Sequence, residues 1–234
     1  LKGPLFVNGD DPLLCSIKRD EIIKVGFSED NDFIFKILQE SIDGTIFSTS
    51  NSSFWIKLPT VGMLRCAMLA VSVALHYGIP PREIQKGLTE VERVPHRMEI
   101  KRTEMFNIVD DTYNSNPDSV LNAVSFLSLM SGRKVVVLGP MLELGENSFS
   151  IHRETGEKLK FKIDELIAIG KEARGFVEGF GGGHVVSNIE EALGKLRGIL
   201  RKGDTILFKS SRALKLETLI ERLMEENCYI CYTL

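Results

Sequence analysis

Residues 107–124, NIVDDTYNSNPDSVLNAV, decide how the rest of the chain is read. The apolar pair Ile108 and Val109 runs into two carboxylates, Asp110 and Asp111, then a tyrosine and two asparagines. Asn116 followed by Pro117 has the form of a helix N-cap with proline at the first helical position, and Val120, Leu121, Val124 and Leu127 recur at helical spacing. A strand that hands over to a helix is the repeating unit of an open α/β sheet, and such sheets bind ligands at the carboxyl ends of their strands. The N-cap needs none of Asp110, Asp111, Tyr113 or Asn114, so their polarity is surplus to the fold and marks a candidate site.

Working outward from this stretch, the strand-like runs NIVDD, KVVVLG, ELIAIG, HVVS and TILFKS alternate with helix-like segments near 117–130, 148–162, 171–178, 189–200 and 213–226. That alternation predicts βαβ units, a parallel sheet and right-handed crossovers with helices on both faces. Upstream the texture differs. Residues 1–58 hold short β-rich runs (PLFVN, IIKVGF, FIFKIL, GTIFSTS, SFWIKL), several close enough for antiparallel hairpins. From Gly62 to Tyr77 the apolar residues run nearly all round a helix, which predicts a largely buried one stopped by Gly78. A second helix follows from about Pro81 to Val91. Pro95 turns Val94 away from helix and marks the expected boundary. The fold class expected is α/β, with a Rossmann-like parallel-sheet domain over 95–234 preceded by a smaller region of antiparallel strands and helices over 1–94.

The chain has 234 residues, 43% hydrophobic and 26% charged, with a formal net charge of -3. This composition gives one large or two modest cores and argues against a general nucleic-acid or membrane-surface binder. The longest apolar run, Met68 to Leu75, is too short to span a bilayer, and no signal peptide is read. Four cysteines, at 15, 66, 228 and 231, do not form a disulfide framework, so a reducing cytoplasm is expected. CYIC at 228–231 reads as part of a terminal strand-like run and not as a metal site. Histidines 76, 96, 152 and 184 lie far apart, with no pair at metal-ligand spacing, so no metal ligands are assigned. The sequence opens on Leu1 and not methionine, which reads as removal of something upstream.

Phosphate-binding signatures are absent: GFGGG at 179–183 follows a helix where a dinucleotide fingerprint must follow a strand, and no G-x-x-x-x-G-K-[ST] occurs. Two further strand ends carry polar sets. In VVVLGPMLELGENS, 135–148, Gly139, Glu143, Gly145 and Glu146 form a loop before a helix capped near Asn147 or Ser148; the alternative is that the glycines serve only the turn. In ILFKSSRALKLE, 206–217, Lys209, Ser210, Ser211 and Arg212 lie between strand and helix. Two cations beside a helix N-terminus predict an anion site; the alternative is a serine-capped helix with solvated basic residues. The three sets are expected on one rim of the domain.

DDTYNSNPDS, VVVLGPMLELGENSFSIHRETG and ILFKSSRALKLE at these separations resemble the C-terminal domain of the Mur ligases, most closely the branch that adds D-alanyl-D-alanine to UDP-N-acetylmuramoyl-tripeptide. LFVNGDDP and the apolar helix before GIPPREIQKGL resemble the later half of that family's central ATPase domain, which the resemblance assigns to residues 1–94. It implies an ATP-dependent amide-forming ligase of peptidoglycan precursor synthesis, hence of cell wall, cell shape and cell division. In that reaction ATP phosphorylates the tripeptide carboxylate and the amine of D-alanyl-D-alanine attacks the acyl phosphate. By the resemblance Arg97 and Asp111 face the phosphate and ribose side of ATP, with Tyr113 and Asn114 beside them, while Lys209, Ser210, Ser211 and Arg212 stand on the acceptor side. Asp110, adjacent to Asp111 on a strand, points the other way and reads as structural. No residue is assigned as catalytic. The family's P-loop, carboxylated lysine and principal Mg2+ ligands precede the segment matching residues 1–12, so the chain reads as the C-terminal portion of a longer ligase, inactive alone, whose ATP and Mg2+ are held mainly by regions outside it.

The pattern departs from the family at four places. Cys66 stands where an adenine-contacting asparagine is expected, His96 replaces a glycine before the family arginine, Pro140 replaces an aspartate, and Ser210 replaces a glycine. Two other readings remain: another Mur ligase or folylpolyglutamate synthase relative, or a non-catalytic α/β ligand-binding module, which the missing P-loop would suit.

Overall fold

A computed structural model describes residues 3–57, 61–92 and 94–230, with the backbone alone for residues 61 and 226–230. The chain divides into two compact units, Leu1–Glu92 and Arg93–Leu234.

In the first unit β1 (Leu5–Asn8), β2 (Ile22–Gly26) and β3 (Phe33–Ile34) pair in parallel, with the short helix α1 (Pro12–Cys15) after β1. The antiparallel hairpins expected among several of these runs are formed by β4 (Lys36–Ser41), β5 (Gly44–Thr49) and β6 (Ser52–Ile56). The run FIFKIL is divided between the two sheets, because Phe35 leaves the parallel ladder to bury its ring against Phe47 in the core. Helix α2 (Val61–His76) is amphipathic where a largely buried one was expected. Leu64, Ala67, Met68 and Val71 pack into the core, while Arg65, Cys66, Ala70 and Val73 are exposed. The reason is coverage: β1, β2 and α3 (Pro81–Thr89) lie against one face of α2 only. The helix predicted to reach Val91 ends at Thr89.

In the second unit six strands run in the order β11-β10-β9-β12-β8-β7. They are β7 (Glu99–Arg102), β8 (Asn107–Asp111), β9 (Lys134–Leu138), β10 (Glu165–Ile169), β11 (His184–Val186) and β12 (Thr205–Lys209). All pairings are parallel except the edge pair of β7 with β8, a strand that the charged run EIKR did not announce. The strands alternate with α4 (Pro117–Leu127), α5 (Ser148–Glu157), α6 (Arg174–Phe180) and α7 (Ile189–Ile199), and α8 (Glu217–Ile230) ends the unit. Alternate side chains of each strand serve opposite faces. Val135, Val137, Ile206 and Phe208 pack with Leu193, Leu196, Leu219 and Ile220 of α7 and α8. Val136, Leu138 and Leu207 are equally buried on the other face, where α4 contacts β12 and α6 contacts β10. The segment CYIC, expected in a strand, falls in the last turn of α8 as far as Ile230, and Cys231 lies outside the described residues.

The order matters for the site. The chain leaves β8, builds β9, β10 and β11 outward, and returns to insert β12 between β8 and β9. Register pairs Lys209 with Asp111 on one side and with Leu138 on the other, so the three polar loops leave adjacent strands at one level.

Candidate functional site

The loop after β8 begins with two buried carboxylates that face different partners. Asp110 is fully buried and accepts hydrogen bonds from His96 Nδ1 at 2.9 Å, Lys101 Nζ at 3.0 Å and the Thr112 hydroxyl at 2.8 Å. Burial pushes its carboxyl upward, but the bonds from His96, Lys101 and Thr112 outweigh it and leave the group below the usual carboxylate range. His96, Glu99 and Asp110 bring ligand atoms within 4.8 Å of one another, a constellation hidden in sequence because it depends on the cross-strand pairing of Glu99 with Asp110. The Lys101 ammonium already supplies the positive charge there, 3.0 Å from Asp110 and 3.9 Å from Glu99.

Asp111 turns to β12. Its Oδ2 lies 2.5 Å from Lys209 Nζ, and its Oδ1 accepts the Met98 amide at 3.3 Å. Lys209 is 1% exposed and gives a second hydrogen bond to the Asn114 carbonyl at 2.8 Å. Burial lowers its pKa from the ordinary lysine value and the nearby Arg97 adds to that, while Asp111 opposes both. The residues assigned to two ligand sides, Asp111 and Lys209, are therefore partners of each other. Arg97 and Tyr113 also meet: the guanidinium carbon lies 4.4 Å from the ring centroid, on the surface, where both remain open to a ligand. Asn114 uses its side-chain oxygen to hold the Ser115 amide at 2.8 Å. The buried Ser115 hydroxyl has no partner among the described residues.

The loops after β9 and β12 interlock. Ser211 donates its amide to the Pro140 carbonyl at 3.2 Å and accepts the Leu142 amide on its hydroxyl at 3.0 Å. Gly139 is there for space: a Cβ at that position would come within 2.5 Å of both Ser210 Cβ and Leu214 Cδ2. Behind them His152 holds the loop from below, its Nε2 accepting the Met141 amide at 2.9 Å and its Nδ1 bonded to the Ser148 carbonyl at 2.7 Å. The helix N-terminus expected beside Lys209 and Arg212 is not there. A 3-10 turn, Arg212–Leu214, comes first, Lys215 adopts a left-handed φ of 51°, and α8 starts at Glu217. Arg212, at the surface, pairs with Glu217 at 2.8 Å. Of the four residues expected on the acceptor side, Ser210 and Ser211 are buried in loop packing, Lys209 is buried against Asp111, and Arg212 alone is exposed.

A depression of about 610 Å³ lies between the ends of β10 and β11, lined by Phe149, Lys171, Arg174 and Val185 among others. It stands two strands away from β12, off the point where the strand order reverses, and Arg174 there is already paired with Glu178 at 2.9 Å.

Residues 96–212 match the family described as Mur ligase, glutamate ligase domain. The UDP-N-acetylmuramoyl-tripeptide–D-alanyl-D-alanine ligase of Bacillus subtilis strain 168 is 31% identical over 235 residues, covering 95% of this chain and 51% of that protein. The enzyme of the same name from Escherichia coli K12 is 29% identical over 205 residues, 84% of this chain and 45% of its own length. Among solved structures, MurF from Acinetobacter baumannii superposes with a TM-score of 0.79 at 28% identity, covering 88% of this chain and 47% of that one. MurF ligase from Thermotoga maritima in complex with ADP gives 0.76 at 27% identity, covering 95% and 53%. The chain thus spans about half the length of the relatives it matches. The family match runs from the residue before Arg97 through Arg212, so it takes in all three interlocked strand ends, and the chain belongs to the Mur ligase family.

Proposed function

We propose that this sequence is the C-terminal part of a cytoplasmic, ATP-dependent ligase that joins D-alanyl-D-alanine to UDP-N-acetylmuramoyl-tripeptide through an acyl phosphate. In this reading residues 1–94 belong to the central ATPase domain and residues 95–234 form the C-terminal domain. The observation that carries it is the likeness to D-alanyl-D-alanine ligases at 31% identity across 95% of the chain, together with a rim whose polar loops are assembled on adjacent strands. The likeness to a folylpolyglutamate synthase, at 16% identity and a TM-score of 0.55, speaks for the fold alone.

The chain's own contribution is positioning and charge. Arg97, splayed over Tyr113 and free of any carboxylate among the described residues, offers guanidinium N–H groups to a phosphate. The loop of residues 111–114 is fixed by Asp111 and Lys209 and forms the nucleotide-facing edge. Arg212, exposed at the surface of the interlocked loops and paired with Glu217, is the one of the four acceptor-side residues within reach of the dipeptide carboxylate. Mg2+ would supply phosphate charge neutralisation; Glu99 and Asp110 are committed to Lys101 and Asp111 to Lys209, and no magnesium ligand is assigned in this chain.

The test is an amide-forming assay with ATP, the UDP-tripeptide and D-alanyl-D-alanine. The full-length protein carrying this sequence is expected to give ADP, phosphate and the pentapeptide product, with L-glutamate a poor substitute for the dipeptide. The 234-residue chain alone is expected to release phosphate no faster than buffer, having no phosphate-gripping loop. Preference for glutamate, or turnover by the chain alone, overturns the reading.

A further inference from the structure

We infer that Lys209 is a positioning residue for the loop of residues 111–114 and for the Arg97 segment, and not a contact of the acceptor; this rests on the proposed reading that the loop faces the nucleotide. At 1% exposure the ammonium cannot reach a ligand, and its bonds go to Asp111 Oδ2 and the Asn114 carbonyl. These two acceptors bracket Tyr113. The other oxygen of Asp111 takes the Met98 amide, and the Tyr113 amide donates to the His96 carbonyl at 3.1 Å.

The segment so held is one that needs holding. His96 and Met98, on either side of Arg97, have φ values of 59° and 52°, in the left-handed region that residues with a Cβ avoid. Such a conformation persists only where the surroundings determine it; the His96 ring is held by Asp110 and the Arg97 amide by the Val94 carbonyl, and the loop adds two hydrogen bonds and the stacking of Arg97 on Tyr113. Beyond the ladder that pairs Asp111 with Lys209 along the backbone, the Lys209 side chain ties this loop to β12. The path from the end of β12 to Arg97 thus runs through one buried ammonium and one carboxylate. The consequence is that loss of the Lys209 charge releases residues 96–98 and 111–114 together, so Arg97 leaves its place over Tyr113 while the sheet stays paired.

Two readouts test this. In the 234-residue chain, amide hydrogen exchange is measured for Lys209→Met and for Lys209→Met combined with Asp111→Asn, which removes the stranded charge and protects against failure to fold. At least tenfold faster exchange at Met98 and Tyr113, with β8 and β12 amides changed less than twofold, is expected in the double variant. In the full-length protein both variants are expected to raise the KM for ATP at least tenfold, with the KM for D-alanyl-D-alanine within twofold and kcat less affected than the ATP KM. A selective rise in the dipeptide KM makes Lys209 an acceptor contact and overturns the inference. Uniformly faster exchange, or a lowered melting temperature with both KM values unchanged, reduces it to a structural residue and overturns it as well. If the wild-type protein forms no amide with the dipeptide, the substrate reading fails, and the exchange pattern still decides whether Lys209 sets the loop.

Discussion

Nε2 of His152 accepts a hydrogen bond and Nδ1 faces a carbonyl, which fixes the ring as neutral with its proton on Nδ1. A second proton would set two N–H groups against each other at Met141. Burial accordingly lowers its pKa from 6.5, against the opposing pull of the Ser148 carbonyl and Glu172. Because the native value is the lower one, the unfolded chain binds the extra proton first. Stability from this group is complete above 6.5 and is lost as pH falls from there through the native value. Urea midpoints should therefore fall between about pH 7 and pH 5, and His152→Gln should flatten that slope while lowering stability throughout. Asp111 offers a sharper case. Asp111→Ala strands the buried Lys209 ammonium, and breaking a buried pair from one side costs about 3–5 kcal/mol. Asp111→Asn keeps an acceptor for Met98 and for Lys209 and should cost less, and denaturant titration of the two variants checks the order.

At the scale of elements, close approach is bought with glycine. Between α5 and α6, a Cβ on Gly156 would meet the Phe176 carbonyl oxygen at 2.2 Å, and one on Gly179 would meet the Arg153 carbonyl oxygen at 1.9 Å. The run GFGGG, read from sequence as a helix stop, does hold the stop at Gly181 with φ 84°, but its first glycine lies inside α6 and lets two helix backbones touch. Gly156→Ala is expected to separate the helices and cost roughly 1–3 kcal/mol, as overpacking does. Gly139→Ala should cost a similar amount, roughly 1–3 kcal/mol, by prising the β9 and β12 loops apart. A thermal melt reports both; the second variant should also expose the Leu142 amide to exchange.

Over the whole molecule, legibility followed the chemistry of burial. Four strands of the second unit were readable because a parallel strand covered on both faces is an apolar run, the edge strand β11 from its paired valines between a glycine turn and Ser187, and α4 because Asn116 caps Ser119 and Pro117 opens it. The edge strand β7 was not readable: three of its four residues are charged, and pairing with β8 and the reach of Lys101 to Asp110 put it there. At the site, the polar loops could be named but not their partners. The Lys209–Asp111 pair joins residues 98 apart, and its existence depends on β12 lying beside β8, a strand order that local periodicity does not encode. For the same reason Lys209, read from sequence as one of two cations of an anion site, has a buried carboxylate partner that the sequence did not announce.

The insertion of β12 between β8 and β9 also sets a timetable for synthesis. Until Thr205–Lys209 has left the ribosome, β8 and β9 lack their common neighbour, and the unit's central ladder cannot form. At bacterial-scale elongation of about 5–20 residues per second, β8 waits roughly 5–20 s for its partner. During that interval Ile108 and Val109 are open edges, available to other nascent chains. Nascent chains stalled just before Thr205 should be cut freely by protease in the 107–138 region, and those extended enough to expose Lys209 should become resistant in one step. A protected core in the shorter chains would show that β8 and β9 find a provisional arrangement of their own.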